Sequence, residues 1–459
     1  MLGPEDWDRR TMRGLIRTVC LILAGGLALA QHARAQEPLR LLRDAEIETT
    51  LRTFATPVFK AAGLDPQAIH IYIVNDPTLN SFVAGGQNLF MNTGTILRAQ
   101  SPNQLVGIMA HETGHIAGGH LVRSTQMMKN AMIESIIGMV LGGAAAVTAH
   151  GNGGAGAIIA GESVGQRAFL QNSITIEASA DQAALRFLDR THQSARGLLE
   201  FFQILQQEEF LTAQHQDPYL QNHPLTEERV NYVREHVEHS QWSNAKDPAE
   251  WIAANNLMKA KLDAFLSDPQ TVLQHYQADD TSPQARYARA IAYYRIPDLD
   301  HALPLIDGLI KDFPKDPYYW ELKGQMLFEN GRVAEAVAPY QRAVQLVPDQ
   351  PLFNIELAQV QLETNDPKYL QRVRDELNVA LNAESDNGQA WRFLAIAYGR
   401  AGNEGMASLA LAEQNMAEGN YREAGHQAQR AQKLLPPGAQ RQRAQDLGQD
   451  AKRQQDQSQ

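Results

Sequence analysis

The chain is expected to be mainly α. Its first half should be an α+β domain around a small sheet, and its second half an all-α stack of helical pairs. Three observations carry this expectation. His111-Glu112-Thr113-Gly114-His115 lies inside a run with helical character. The stretches Ile69–Val74 and Ser81–Gly94 have strand character instead. From about Ser282, small and aromatic residues recur with a period of ~34 residues. A chain of 459 residues holds about two or three domains. The boundaries are read as a leader over 1–35, a catalytic domain over 36–265, a repeat domain over 266–437 and a disordered Gln-rich tail over 438–459.

Net charge is −11, which argues against nucleic-acid binding as the main task. At the N-terminus Arg9, Arg10, Arg13 and Arg17 precede an apolar run from Val19 to Ala30, and Ala33-Arg34-Ala35 follows. This is the pattern of an export signal, cleaved near Ala35. The alternative is an anchor that stays attached; it needs roughly 20 apolar residues, and this run has about 12. Arg9-Arg10 alone is a weak sign of twin-arginine export. Cys20 is the single cysteine and falls within the leader, so the exported chain is expected to hold together without disulfides.

Leu39 to Ala62 should be a helix, with Ile47, Leu51, Phe54 and Val58 on one face and Gly63 closing it. Ile69–Val74 follows as a β-branched strand, and Asn75-Asp76-Pro77 ends it. Two short strands are expected around Gly85-Gly86. The second should lie beside the His111 helix, either as an edge that takes substrate as an added strand or as plain core sheet. Ser101 and Pro102 supply an N-cap and a first helical residue for a helix running to about Met128. Residues 131–165 are apolar and glycine-rich. They suit a lid or a flap touching a membrane surface, with two packed helices or a spanning segment as alternatives.

The chemistry is concentrated in a few side chains. Two histidines four apart share one helix face, one turn from each other, so both imidazoles can reach a single Zn²⁺. Glu112 beside them can act as general base. Asn172 to Leu188 is a second helix and contains Glu177 and Asp181. Glu177 suits a third metal ligand, leaving one position open for water. Asp181, one turn on, can accept the free N–H of a ligand histidine. The bland reading makes both solvated charges. A third helix, starting near Pro224 or Thr226, carries Arg229 just after His223. His223 could donate to an oxyanion or sit on the metal at rest; Arg229 could pair with Asp181. Otherwise the two belong to a capping loop.

Asp247 to Leu266 should be a linking helix. Beyond it, Trp320, Gly324, Ala336, Tyr340, Ala343 and Pro348 fall at tetratricopeptide offsets. Ala290, Tyr293, Ala302 and Pro314 repeat the pattern, as do Trp391, Leu394, Ala395, Tyr398, Gly402 and Ala407. Leu352 to Asn387 is a divergent unit with an insertion near Asp366–Tyr369, and a further hairpin ends near Pro436. About four units are counted, and such stacks generally bind a peptide or a partner.

Taken in order, His111-Glu112-x-x-His115, Glu177-x-x-x-Asp181 and His223-Pro224-x-x-x-x-Arg229 resemble the gluzincin metallopeptidases related to HtpX and the prenyl-protein endoproteases. The likeness covers about residues 40 to 240. With a leader and repeats in place of several spanning helices, the chain looks like the soluble periplasmic, BepA-type branch of that family. The resemblance implies a zincin-type domain with one Zn²⁺ per chain. It also implies a place in the periplasm and a zinc endopeptidase for misfolded or stalled outer-membrane proteins. His223 and Arg229 join the catalytic set on the same ground. The repeats would meet clients or the outer-membrane assembly machinery, and peripheral membrane contact is a further expectation. The rival is a chaperone or assembly scaffold with little proteolysis.

Overall fold

The computed structural model describes residues 40–120, 173–211 and 223–457. The expected leader, its Cys20 and the glycine-rich stretch 131–165 lie outside the described residues. No helix among the described residues is long and apolar enough to cross a membrane.

The first half is built on a four-stranded sheet of β1 (Leu41–Leu42), β2 (His70–Val74), β3 (Ser81–Ala84) and β4 (Asn88–Asn92), in the order β1-β2-β4-β3. Strands β3 and β4 are antiparallel about the glycine turn, and β2 runs parallel to β4. Strand β4 is therefore central. Among the described residues it is β3, the first strand of the pair and not the second, that forms the edge and packs on the helix of the histidine motif. Pairing with β2 takes up the other side of β4, which leaves β3 outermost.

Helix α1 (Ala45–Ala61) is capped by Asp44, whose carboxylate accepts the Ile47 N–H. Ile47, Leu51, Phe54 and Val58 are all buried, as their spacing requires. Short α2 (Thr93–Arg98) leads into α3 (Pro102–Gly118). Helix α4 (173–190), α5 (Arg196–Leu211) and α6 (Glu227–His239) complete the layer around α3. One apolar core joins α1, the sheet and α3 to α6.

Helix α7 (Ala249–Leu266) leads on through α8 (Pro269–His275) to stacked helical pairs. These are α9 (Pro283–Arg295) with α10 (Leu299–Asp312), α11 (Pro317–Glu329) with α12 (Val333–Leu346), and α13 (Pro351–Glu363) with α14 (Leu370–Ala383). Next come α15 (Gly388–Arg400) with α16 (Glu404–Ala417), and α17 (Tyr421–Leu434) with α18 (Ala439–Gln457). The insertion of the divergent unit is a 3-10 turn at Pro367–Tyr369. The expected disordered tail is instead helix α18. It packs on α17 through Ala444, Leu447 and Ala451, a stripe too narrow to stand out among glutamines.

Helix α7 serves both halves. Met258 and Leu262 belong to the first core, while Ala260 and Ala264 belong to the first repeat's core. Between them Lys261 is buried, with Nζ 2.7 Å from Asp44, 3.3 Å from Glu46 and 3.7 Å from Glu321. Tyr287 donates its hydroxyl to Glu46 at 2.8 Å. Ala45, at the start of α1, packs among Ala343, Phe353, Tyr318 and Trp320 of the repeats.

Candidate metal centre

Helix α3 is buried from Gln104 to His115, with polar side chains among the apolar ones. Ser101 accepts the Gln104 N–H at its start, and Gly119 ends it at φ 61°. The helix ends at Gly118, and the rest of the expected run to Met128 lies outside the described residues beyond His120. Gly114, inside the motif, is where α4 comes closest: a Cβ there would lie 2.7 Å from the Ala180 carbonyl oxygen. That approach sets Glu177 and Asp181, one turn apart on α4, against His111.

The imidazoles of His111 and His115 face each other, with Nε2 to Nε2 at 3.1 Å. Glu177 presents Oε2 at 3.2 Å from His111 Nε2 and Oε1 at 3.4 Å from His115 Nε2. His223 enters from the loop before α6, with Nδ1 3.0 Å from Glu177 Oε2 and 3.5 Å from His111 Nε2. One donor atom from each of these four residues falls within 4.8 Å of all the others, and all four residues are buried. An ion with four nitrogen and oxygen ligands at ~2.0–2.1 Å in tetrahedral array holds those atoms about 3.3–3.4 Å apart. The donor set therefore fits a divalent metal in size and in chemistry.

The electrostatics of these groups follow from the same geometry. Burial works against a charge on His111, but hydrogen bonds to Asp181 and Glu177 outweigh it and raise this imidazole to about 10. Burial lowers His115 to about 4. Burial would raise Glu177, yet His223, His111 and His115 hold it well below the usual carboxylate range. A cation at the same place satisfies both rings at once.

Around the donors lies a supporting set. His111 Nδ1 donates to Asp181 Oδ1 at 2.8 Å. Arg229 donates through Nε and Nη2 to both Asp181 oxygens, at 2.7 and 3.0 Å, and lies 3.2 Å from Glu177 Oε2. It also donates to the Pro224 carbonyl at 2.7 Å and sits over the Phe202 ring. Thr226 caps α6 by accepting the Arg229 N–H. The guanidinium is thus fixed by the helix start that carries it.

Glu112 differs from all of these. It is fully buried, and neither carboxylate oxygen has a hydrogen-bond partner among the described residues. His223 Nε2 lies 3.7 Å from Glu112 Oε1. Burial raises its carboxyl to about 7, the range in which one group both takes and returns a proton.

The fold thus gathers His111, Glu112, His115, Glu177, Asp181, His223 and Arg229 into one buried cluster. Sequence reasoning missed His120, whose Nδ1 lies 3.1 Å from His115 Nδ1. The available signal was a third histidine directly after Gly118-Gly119.

Residues 41–237 match the model of peptidase family M48, and residues 283–351 match a tetratricopeptide repeat. The putative beta-barrel assembly-enhancing protease of Vibrio cholerae serotype O1 is 24% identical over 443 residues, covering 94% of this chain and 89% of that one. The beta-barrel assembly-enhancing protease of Escherichia coli strain K12 is 22% identical over 415 residues, covering 88% and 82%.

Proposed function

We propose that this chain, a peptidase family M48 domain joined to tetratricopeptide repeats, is a zinc-dependent endopeptidase of the periplasm. Its substrates would be misfolded or stalled outer-membrane proteins, a reading supported by the names of its relatives. One observation carries the chemistry: four donor atoms converge beside a buried carboxylate that has no hydrogen-bond partner among the described residues.

His111, His115 and Glu177 are the proposed zinc ligands. A zinc ion bound there supplies Lewis-acid polarisation of the scissile carbonyl and makes water acidic enough to attack near neutral pH. Glu112 accepts the proton of the attacking water and returns it to the leaving nitrogen. Asp181 fixes the His111 tautomer through Nδ1. Arg229 pairs with Asp181 and lies against Glu177, which keeps both carboxylates in place. His223, between Glu177 and Glu112, either closes the fourth corner of the cage at rest or donates to the developing oxyanion. The edge strand β3, beside α3, is the proposed place for an extended substrate to add as a further strand.

Glu112→Gln tests this reading. Zinc content should stay at one per chain while casein hydrolysis falls about 10²–10⁴-fold. Unchanged cleavage would remove Glu112 from the mechanism. A second reading, an assembly scaffold acting through the repeats, is favoured by the assembly-enhancing names of the relatives. Wild-type chain that purifies without metal would leave that reading in possession.

A further inference from the structure

Resting on the proposed ligand set, we infer that His120 is a positioning residue that fixes the tautomer and tilt of His115. His115 turns Nε2 towards the donors, 3.1 Å from His111 Nε2 and 3.4 Å from Glu177 Oε1. A neutral imidazole that gives one lone pair to a cation carries its proton on the other nitrogen. His115 Nδ1 therefore has an N–H to place, and the residue is buried. Among the described residues the atom in reach is His120 Nδ1 at 3.1 Å, with the two rings nearly perpendicular at 81°. His120 must then accept, which puts its own proton on Nε2.

The chain is shaped for this contact. Helix α3 ends at Gly118, and the left-handed Gly119 folds the next residue back over the last turn. The His120 ring comes to rest on Gly118, where a Cβ would lie 2.3 Å from Nε2. Gly118 has no unusual φ, so what its missing side chain supplies is room for that ring. The two ligand histidines thus have different outer partners. His111 donates to the carboxylate of Asp181, and His115 donates to a second imidazole. The first partner adds negative charge behind its ligand; the second fixes the ring that donates to it.

The test uses full-length protein, with zinc affinity measured by chelator competition and geometry read from the visible absorption of the Co²⁺-substituted form. His120→Leu should weaken zinc about 10–100-fold, the usual cost of losing an outer-shell partner, and should shift the Co²⁺ bands. His120→Asn, whose amide oxygen can replace Nδ1 as acceptor, should return both readings towards wild type. Gly118→Ala leaves every polar group in place but pushes the ring off, and should behave like His120→Leu. His111→Ala separates the two levels. Zinc still bound after His111→Ala would overturn the ligand set itself. Zinc lost there, with wild-type affinity and spectra in both His120→Leu and Gly118→Ala, would overturn the inference alone.

Discussion

The cage around His111 and the knot around Lys261 are both buried and both charged, yet they are balanced in opposite ways. At Lys261 the carboxylates of Asp44, Glu46 and Glu321 converge on an ammonium that the chain itself provides. At His111, ring nitrogens and a carboxylate face one another, and the nearest guanidinium, Arg229, is held mainly by Asp181. The knot closes on itself and joins two halves of the molecule. The cage is complementary to something with positive charge. Buried charge is therefore no sign of a site; lone pairs that converge on each other are.

Breaking the knot should have the largest effect on stability. Lys261→Met leaves buried Glu46 and Glu321 and half-buried Asp44 against an apolar side chain, and loss of one partner of a buried ion cluster costs about 3–5 kcal/mol. Chemical unfolding should register that loss while zinc stoichiometry stays the same. A matching loss of zinc would mean that the two clusters are one.

A smaller effect should follow pH. Burial is the main cause that pushes Glu46 up to about 7, against the pull of Lys261, and Glu321 moves the same way. The folded state then holds these protons more tightly than the unfolded chain does. Stability from Glu46 is present in full below its ordinary value of 4.5 and is lost as pH rises through about 7. Unfolding free energies from urea titrations should fall between pH 5 and pH 8, by on the order of 2 kcal/mol. Glu46→Gln should flatten that slope; an equal slope in the variant would assign it elsewhere.

The smallest effect belongs to the rim. Arg43 bridges Glu48 and Glu384 at 2.7 and 2.6 Å, but it is 39% exposed. Arg43→Ala should cost less than about 1 kcal/mol in thermal unfolding. A larger loss would extend the knot to the surface.

What could be read in advance followed from short-range periodicity. His111 and His115 share a face because a helix repeats every 3.6 residues, and Glu177 and Asp181 do so for the same reason. The helical pairs were legible wherever Trp320, Tyr340 or Trp391 marked the offset. Helix α18 was missed because Ala444, Leu447 and Ala451 bury little apolar surface among polar neighbours. His120 was missed because its contact depends on the reversal at Gly119, which no helical spacing encodes. The place of β3 was misread because the parallel partner of β4 comes from before the hairpin. The Lys261 knot joins Asp44 to Glu321, and no local pattern announces so distant a meeting.

Helix α7 has one face in each half of the molecule, and this bears on how such a chain can change over evolutionary time. Domain shuffling that set a foreign array of repeats below residue 266 would leave Ala260, Lys261 and Ala264 against strangers. Protease and repeats are bound to drift together, each new side chain on one flank of that rod answered on the other.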